Sequence, residues 1–149
     1  MEFRHLLVPT DGSRLSRKTI RLAVRLASSL GARLSAVYVI PEGVPTLFTG
    51  AKLYGSGVLS AQVRQAIRRA AGKALDVAQR DAAAAGVRCT GVHPLAPQPW
   101  RAIVDTARKR RCDLIVMGSH GRSGLPAVLL GSETTKVLAH SKVPVLVCR

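Results

Sequence analysis

The chain predicts an α/β fold, with a mostly parallel sheet covered by helices on both faces. Three observations carry that prediction. Short apolar runs alternate with segments of helical periodicity along the whole length, the pattern of repeated strand–helix–strand units. Two of these runs, Asp113-Leu114-Ile115-Val116-Met117 and Val143-Pro144-Val145-Leu146-Val147, are apolar almost throughout, as strands buried on both faces must be. The 149 residues are enough for one domain with a proper core, and no repeat or low-complexity segment divides residues 1–149.

Each element has its own reason. Leu6-Leu7-Val8 is an apolar run stopped by Pro9 and reads as a buried first strand. Thr10-Asp11-Gly12-Ser13 is a turn, because Asp, Gly and Ser all favour one. From Leu15 to Leu30, Ile20, Ala23, Val24, Ala27 and Leu30 share one helical face, while Arg14, Arg17, Lys18, Arg21 and Arg25 fall largely on the other. Gly31 suits the stop of that helix. Leu34 to Val39 reads as a second strand. The pattern dissolves from Pro41 to Gly57, where prolines and glycines mark a long loop.

Helical pattern returns from Ser60 to Ala85 and ends at Gly86. Val87 to Val92 reads as a third strand, and Pro94, Pro97 and Pro99 form a connector. Trp100 to Arg111 is a third helix, with proline suitably placed at its start. Asp113 to Met117 is the fourth strand, Thr134 to His140 a short fourth helix, and Val143 to Val147 the fifth strand.

Composition narrows the function classes. The apolar fraction is 47% but aromatic residues make up only 3%, so Ala, Val, Leu and Ile must build the core. No apolar stretch is long enough to span a bilayer, and the start Met1-Glu2-Phe3-Arg4-His5 lacks a signal-peptide pattern; the expectation is a soluble cytoplasmic protein. Cys89, Cys112 and Cys148 form neither a CxxC pair nor a Cys/His cluster, which argues against a disulfide framework and against zinc. The net charge of +15 favours anionic partners: nucleotides, nucleic acid or an acidic membrane surface. With two Phe, two Tyr and one Trp, the chain lacks stacking platforms for single strands, so nucleic-acid binding is expected to be non-specific and salt-dependent.

Two loops leave strand ends with residues suited to a ligand. One is Pro9-Thr10-Asp11-Gly12-Ser13. The other is Gly118-Ser119-His120-Gly121, followed by Gly131-Ser132. Glycines after a strand let the backbone approach a phosphate closely, and a helix beginning at Ser132 adds free N–H groups and a positive dipole end. Ser132 itself is a candidate helix cap, a phosphate contact, or both. Asp11, across a crevice if the first and fourth strands are neighbours, suits a ribose hydroxyl or base edge better than a phosphate. The loop is not a Walker A motif, since no lysine follows Gly131, and GxGxxG is missing after the first strand.

These residues resemble the universal stress protein family over nearly the whole length. The matching segments are Leu7 to Ser13 with Ser16, the second strand ending at Val39, Pro99-Trp100-Arg101-Ala102-Ile103, Asp113 to Gly121, Gly131-Ser132, and Val143 to Val147. Gly118, Gly121, Gly131 and Ser132 occupy every fixed position of the G-x2-G-x9-G-[ST] element that marks the family's ATP-binding type. The resemblance implies a Rossmann-like α/β/α sandwich of the adenine nucleotide alpha-hydrolase-like type, a five-stranded parallel sheet in the order 3-2-1-4-5. It implies a bound ATP, ADP or AMP, with or without magnesium. Pro9, Thr10 and Asp11 would shape the ribose and adenine side, Val39 would meet the adenine edge through its backbone, and Met117 would line the base pocket. Gly118, Gly121 and Arg122 would surround ribose and phosphates, and Gly131, Ser132, Glu133 and Thr134 would close over the phosphate chain. Glu133 departs from the small or apolar residue usual there.

The expected role is a stress-response or signalling module that holds a nucleotide. No triad, paired carboxylates or metal cluster is legible, so no catalytic residue and no efficient catalysis is expected, with slow ATP hydrolysis left open. Alternatives are a sequence-independent nucleic-acid-associated protein and a weak adenylate or ATP hydrolase. Val143 to Val147, apolar and uncharged at a sheet edge, invites pairing with a second copy; a homodimer through this strand is expected, as the resemblance also implies.

Overall fold

The computed structural model describes residues 2–42, 61–119 and 130–149. In chain order the elements are β1 (His5–Pro9), α1 (Arg14–Leu30), β2 (Arg33–Val37), β3 (Ile40–Pro41), α2 (Ala61–Ala84), β4 (Cys89–Val92), β5 (Leu95–Ala96), α3 (Pro99–Arg110), β6 (Leu114–Gly118), α4 (Ser132–His140) and β7 (Val145–Cys148). Five strands form one sheet in the order β4-β2-β1-β6-β7, and every pairing is parallel. Two short strands unforeseen in the sequence, β3 and β5, pair with each other in a separate ribbon. They shift the labels: with these two set aside, the sheet runs third, second, first, fourth, fifth.

The period of two along each strand separates two cores. Leu6 and Val8 of β1, Leu34 and Ala36 of β2 and Leu114 and Val116 of β6 face Ile20, Ala23, Val24 and Ala27 of α1 and Ala71, Leu75 and Ala78 of α2. Leu7, Val37, Ile115 and Met117 point the other way and pack with Ile103 and Ala107 of α3 and Val137 of α4. The helices cover the sheet with alanine and branched aliphatic residues, which is how a chain with so few aromatics closes its core.

Helix ends follow the local chemistry. Ser13 caps α1, its side chain accepting the Ser16 N–H, and Gly31 ends the helix at φ +63° with its neighbour's N–H on Ala27. Val87, expected to open the third strand, instead donates its N–H to the Ala82 carbonyl and closes α2, so β4 starts at Cys89. Helix α3 stops without glycine: Arg111 itself takes the left-handed conformation at φ 55°. Strand β2 ends at Val37, short of the expected Val39; beyond it the N–H groups of Tyr38 and Ile40 still bond on the β4 side, to the carbonyls of Val92 and Pro94. The last strand is likewise later than expected; Ser141 and Val143 bond to each other across a bend before β7 begins. The expected loop from Pro41 to Gly57 enters with β3, and its residues 43–57 lie outside the described residues. Among the described residues, no helix is long and apolar enough to cross a membrane.

Candidate functional site

The sheet turns in two directions from its centre. From β1 the chain moves through β2 to β4, whereas β6 and β7 lie on the opposite side of β1. Strands β1 and β6 are hydrogen-bonded neighbours, Leu6 opposite Leu114 and Leu7 opposite Ile115. Helices α1 and α4 pack on opposite faces of the sheet, so the carboxyl ends of β1 and β6 mark the switch point at which open α/β sheets receive ligands in a crevice.

On the β1 side, the turn is fixed by its own short polar side chains. The Thr10 N–H donates to the Val37 carbonyl at 2.9 Å, and the buried Thr10 hydroxyl lies 3.0 Å from Ser16 Oγ. Gly12 donates to Thr10 Oγ1, and Ser13 donates to Asp11 Oδ1 at 2.9 Å. Gly12 sits at φ +77°, a conformation that holds Asp11 at the bend and that a side chain would strain. Pro9 and Asp11 are half-buried at the rim.

On the β6 side, Ser119 is the pin. Its N–H donates to the Cys148 carbonyl at 2.7 Å, and its carbonyl accepts the Gly131 N–H at 2.6 Å. The entry to α4 is thereby tied directly to the end of β6. Thr134 makes a second tie, its hydroxyl donating to the Gly118 carbonyl at 2.9 Å. The sequence pointed to Gly118, Gly131 and Thr134 but missed Ser119 as a positioning residue; its place between a strand-ending glycine and a histidine was the available signal.

The helix-start expectation needs one correction. Gly131, not Ser132, is the N-cap of α4, and no side chain caps this end. Ser132 is the first helical residue and is exposed. The first intrahelical bond is from the Thr135 N–H to the Gly131 carbonyl, so the N–H groups of Ser132, Glu133 and Thr134 belong to the open first turn. Gly131 contributes geometry, since its N–H is held by Ser119.

Glu133 turns away from this end. Its Oε2 accepts the Trp100 backbone N–H at 2.7 Å, and Oε1 lies 3.5 Å from Lys136 Nζ. The carboxylate caps the first turn of α3, whose own N-cap residue, Gln98, makes no side-chain cap bond.

Val39 lies beyond the end of β2. Because Tyr38 and Ile40 direct their N–H groups toward the β4 side, alternation directs the N–H and carbonyl of Val39 over the end of β1. The Met117 side chain, expected to line a base pocket, is in the core beneath α3 and α4, 5% exposed and clustered with Leu7, Ile115 and Val137. Gly121 and Arg122 lie outside the described residues. Cys148, opposite Gly118 in the sheet, is kept in its neutral thiol form by burial, which raises its pKa.

The arrangement thus offers backbone donors at an uncapped helix start, a backbone edge at Val39, and one carboxylate at Asp11. Backbone donors at a helix start have the chemistry that suits an anion, and the carboxylate suits a hydrogen-bond donor.

The family model of the universal stress protein family matches residues 2–149. Universal stress protein YxiE of Bacillus subtilis is 35% identical over 149 residues, covering 99% of this chain and 99% of its own. Among solved structures, a universal stress protein in complex with cAMP superposes with a TM-score of 0.71 at 24% identity, covering 100% of this chain and 98% of that one. The universal stress protein from Archaeoglobus fulgidus in complex with dAMP gives 0.68 at 18% identity, covering 100% of both chains. These two likenesses show the shared fold.

Proposed function

The chain belongs to the universal stress protein family, and from that premise we propose that it holds an adenine nucleotide at the β1–β6 crevice and acts as a stress-response module whose occupancy is read by partners. The observation that carries the reading is the uncapped start of α4, tied by Ser119 and Thr134 to the glycine-ended strand β6. Phosphate oxygens satisfy the open N–H groups of Ser132, Glu133 and Thr134 and meet the positive end of the helix dipole. Asp11 then accepts from a ribose hydroxyl, and Val39 pairs with the adenine edge through its backbone. Two structural relatives carry adenine nucleotides in their complexes, cAMP in one and dAMP in the other, which supports the base assignment.

The nucleotide ranges from AMP to ATP. Glu133 leaves the phosphate side free of its carboxylate, because that group serves Trp100. For the same reason the described first turn of α4 offers no carboxylate to magnesium, and any magnesium is held by the phosphates themselves. The strand β7, whose Leu146 is 40% exposed, supplies an apolar edge for a second copy, and we place the homodimer contact there.

Calorimetric titration with AMP, ADP and ATP, each with and without magnesium, tests the site. Saturable heat with an adenine nucleotide, lost in Gly131→Glu and absent with inorganic phosphate alone, is the expected result. Wild-type protein that gives no heat with any of the three overturns the assignment.

A further inference from the structure

A second anion site lies at the opposite end of the sheet. There the amino-terminal ends of β1, β2 and β4 meet the last turn of α3 around a cavity of about 270 Å³, lined by His5, Arg33, Leu34, Arg88, Thr90, Lys109 and Arg110. Four of the seven lining residues are cations and none is an acid. No ion pair is formed by Arg33, Arg88, Lys109 or Arg110 among the described residues.

The floor of this cavity is built, not incidental. Arg110 Nε donates to Ser35 Oγ at 2.9 Å, and its Nη2 donates to Thr90 Oγ1 at 2.7 Å. His5 Nε2 lies 2.8 Å from the same Ser35 Oγ. One edge of the guanidinium is therefore held by two hydroxyls, and its charge is fixed at the cavity. His5 is only 5% exposed, yet its Nδ1 has no hydrogen-bond partner among the described residues. The ring also lies beside the Arg110 backbone, so the last turn of α3 holds His5 against the guanidinium. The negative carboxyl end of α3 accounts for Lys109 and Arg110. It does not account for Arg33, which opens β2, nor for Arg88, which precedes β4.

We propose that this cavity binds a small phosphate-bearing anion, a phosphomonoester or pyrophosphate group, recognised by Arg33, Arg88, Lys109 and Arg110 at the rim and by His5 on the floor. Guanidinium groups pair with phosphate through charge-assisted hydrogen bonds, and convergence from separate elements gives a fixed socket. The concavity favours a compact terminal phosphate over a nucleic-acid backbone, which needs a broad surface. An adjoining cleft of about 570 Å³ shares His5, Arg33 and Arg88 and adds Arg4 and Arg111, giving room for whatever bears the phosphate. The acid of that cleft, Asp113, is engaged by the backbone N–H groups of Arg4 and His5, which it accepts at 2.8 and 3.0 Å.

The test follows the His5 ring by NMR while pyrophosphate is added at constant ionic strength. The expected result is a saturable shift of the His5 ring signals, together with a rise in the ring's pKa as the added anion offsets Arg4, Arg33, Arg88, Lys109 and Arg110 and joins Asp113. The exposed double variant Arg33→Ser/Arg88→Ser should weaken this binding by at least about tenfold while keeping the fold by circular dichroism. If that variant does not fold, Lys109→Gln on the exposed last turn of α3 gives the same comparison, with a several-fold loss expected. No shift of His5 at millimolar pyrophosphate, or equal affinity in the folded variants, overturns the proposal. A short DNA duplex that shifts His5 at lower concentration than pyrophosphate also overturns it, in favour of a nucleic-acid surface.

Discussion

The backbone N–H of Trp100 donates to the Oε2 of Glu133 across a sequence gap of 33 residues, and this bond at 2.7 Å joins the first turns of α3 and α4. Glu133→Ala removes the one side-chain acceptor seen at the α3 start among the described residues and should destabilise the protein by about 1–2 kcal/mol. Glu133→Gln keeps an acceptor and should recover most of that loss. Trp100 is the one tryptophan and stacks on His140 at 4.4 Å, so its fluorescence reports the change directly. Thermal melts of the two variants check the order; equal melting of Glu133→Ala and wild type contradicts it.

Arg111 ends α3 in the left-handed region, at φ 55°. A side chain there costs roughly 1–2 kcal/mol, more than the roughly 0.5–1 kcal/mol of chain entropy that glycine loses on folding. Arg111→Gly should therefore raise stability by about 0.5–1 kcal/mol in urea unfolding. A decrease would show that the Arg111 side chain stabilises the fold through its charge or packing.

Stability should fall on the acid side because of His5. Burial, then Arg33 and Arg110, lower its pKa below the ordinary 6.5. Between the folded value and 6.5 the unfolded chain binds more protons than the folded one, so stability rises with pH through that window. It is complete above 6.5 and is lost as the pH drops through the folded value. In phosphate-free buffer, His5→Gln should flatten this slope in melts across that window; an unchanged slope assigns it to other groups.

The cysteines should be slow nucleophiles while the chain is folded. Burial pushes the Cys89 and Cys112 thiols from 9.0 up to about 11, which cuts their thiolate fraction by roughly a hundredfold at neutral pH. Reaction with a thiol-specific disulfide reagent should leave these two unmodified in native buffer and label them promptly in denaturant. Rapid native labelling at Cys112, which is 5% exposed, would show that the α3 end opens readily.

Much of this architecture is legible along the chain because its determinants are local. Leu6-Leu7-Val8 and Ile115-Val116-Met117 are strands on composition alone, and Gly31 and Gly86 mark helix ends because only glycine takes positive φ without strain. The end of α3 breaks that rule, since arginine adopts the same conformation there. The ribbon of β3 and β5 is two residues per strand and carries Pro41, too little for any periodicity to register. At the crevice, the glycines were readable from spacing, and Thr134 was implied by the family resemblance. The direction of the Glu133 carboxylate was not, because its partner comes from another helix. The arginine cavity was hidden for a related reason: Arg33, Arg88 and Arg110 are scattered in sequence and converge only when the sheet orders β4, β2 and β1 side by side.

Strand β1 runs from His5 to Pro9, and five extended residues span about 13 Å from first to last Cα. It is a rigid spacer, hydrogen-bonded on both sides, with one proposed anion site beyond His5 and the other beyond Thr10. Ligands beyond its two ends stand farther apart than the roughly 8 Å over which charges act through physiological salt. Two occupants would neither collide nor repel appreciably, and their binding free energies would add. A dependence of one on the other would require the strand, or the helices packed along it, to move.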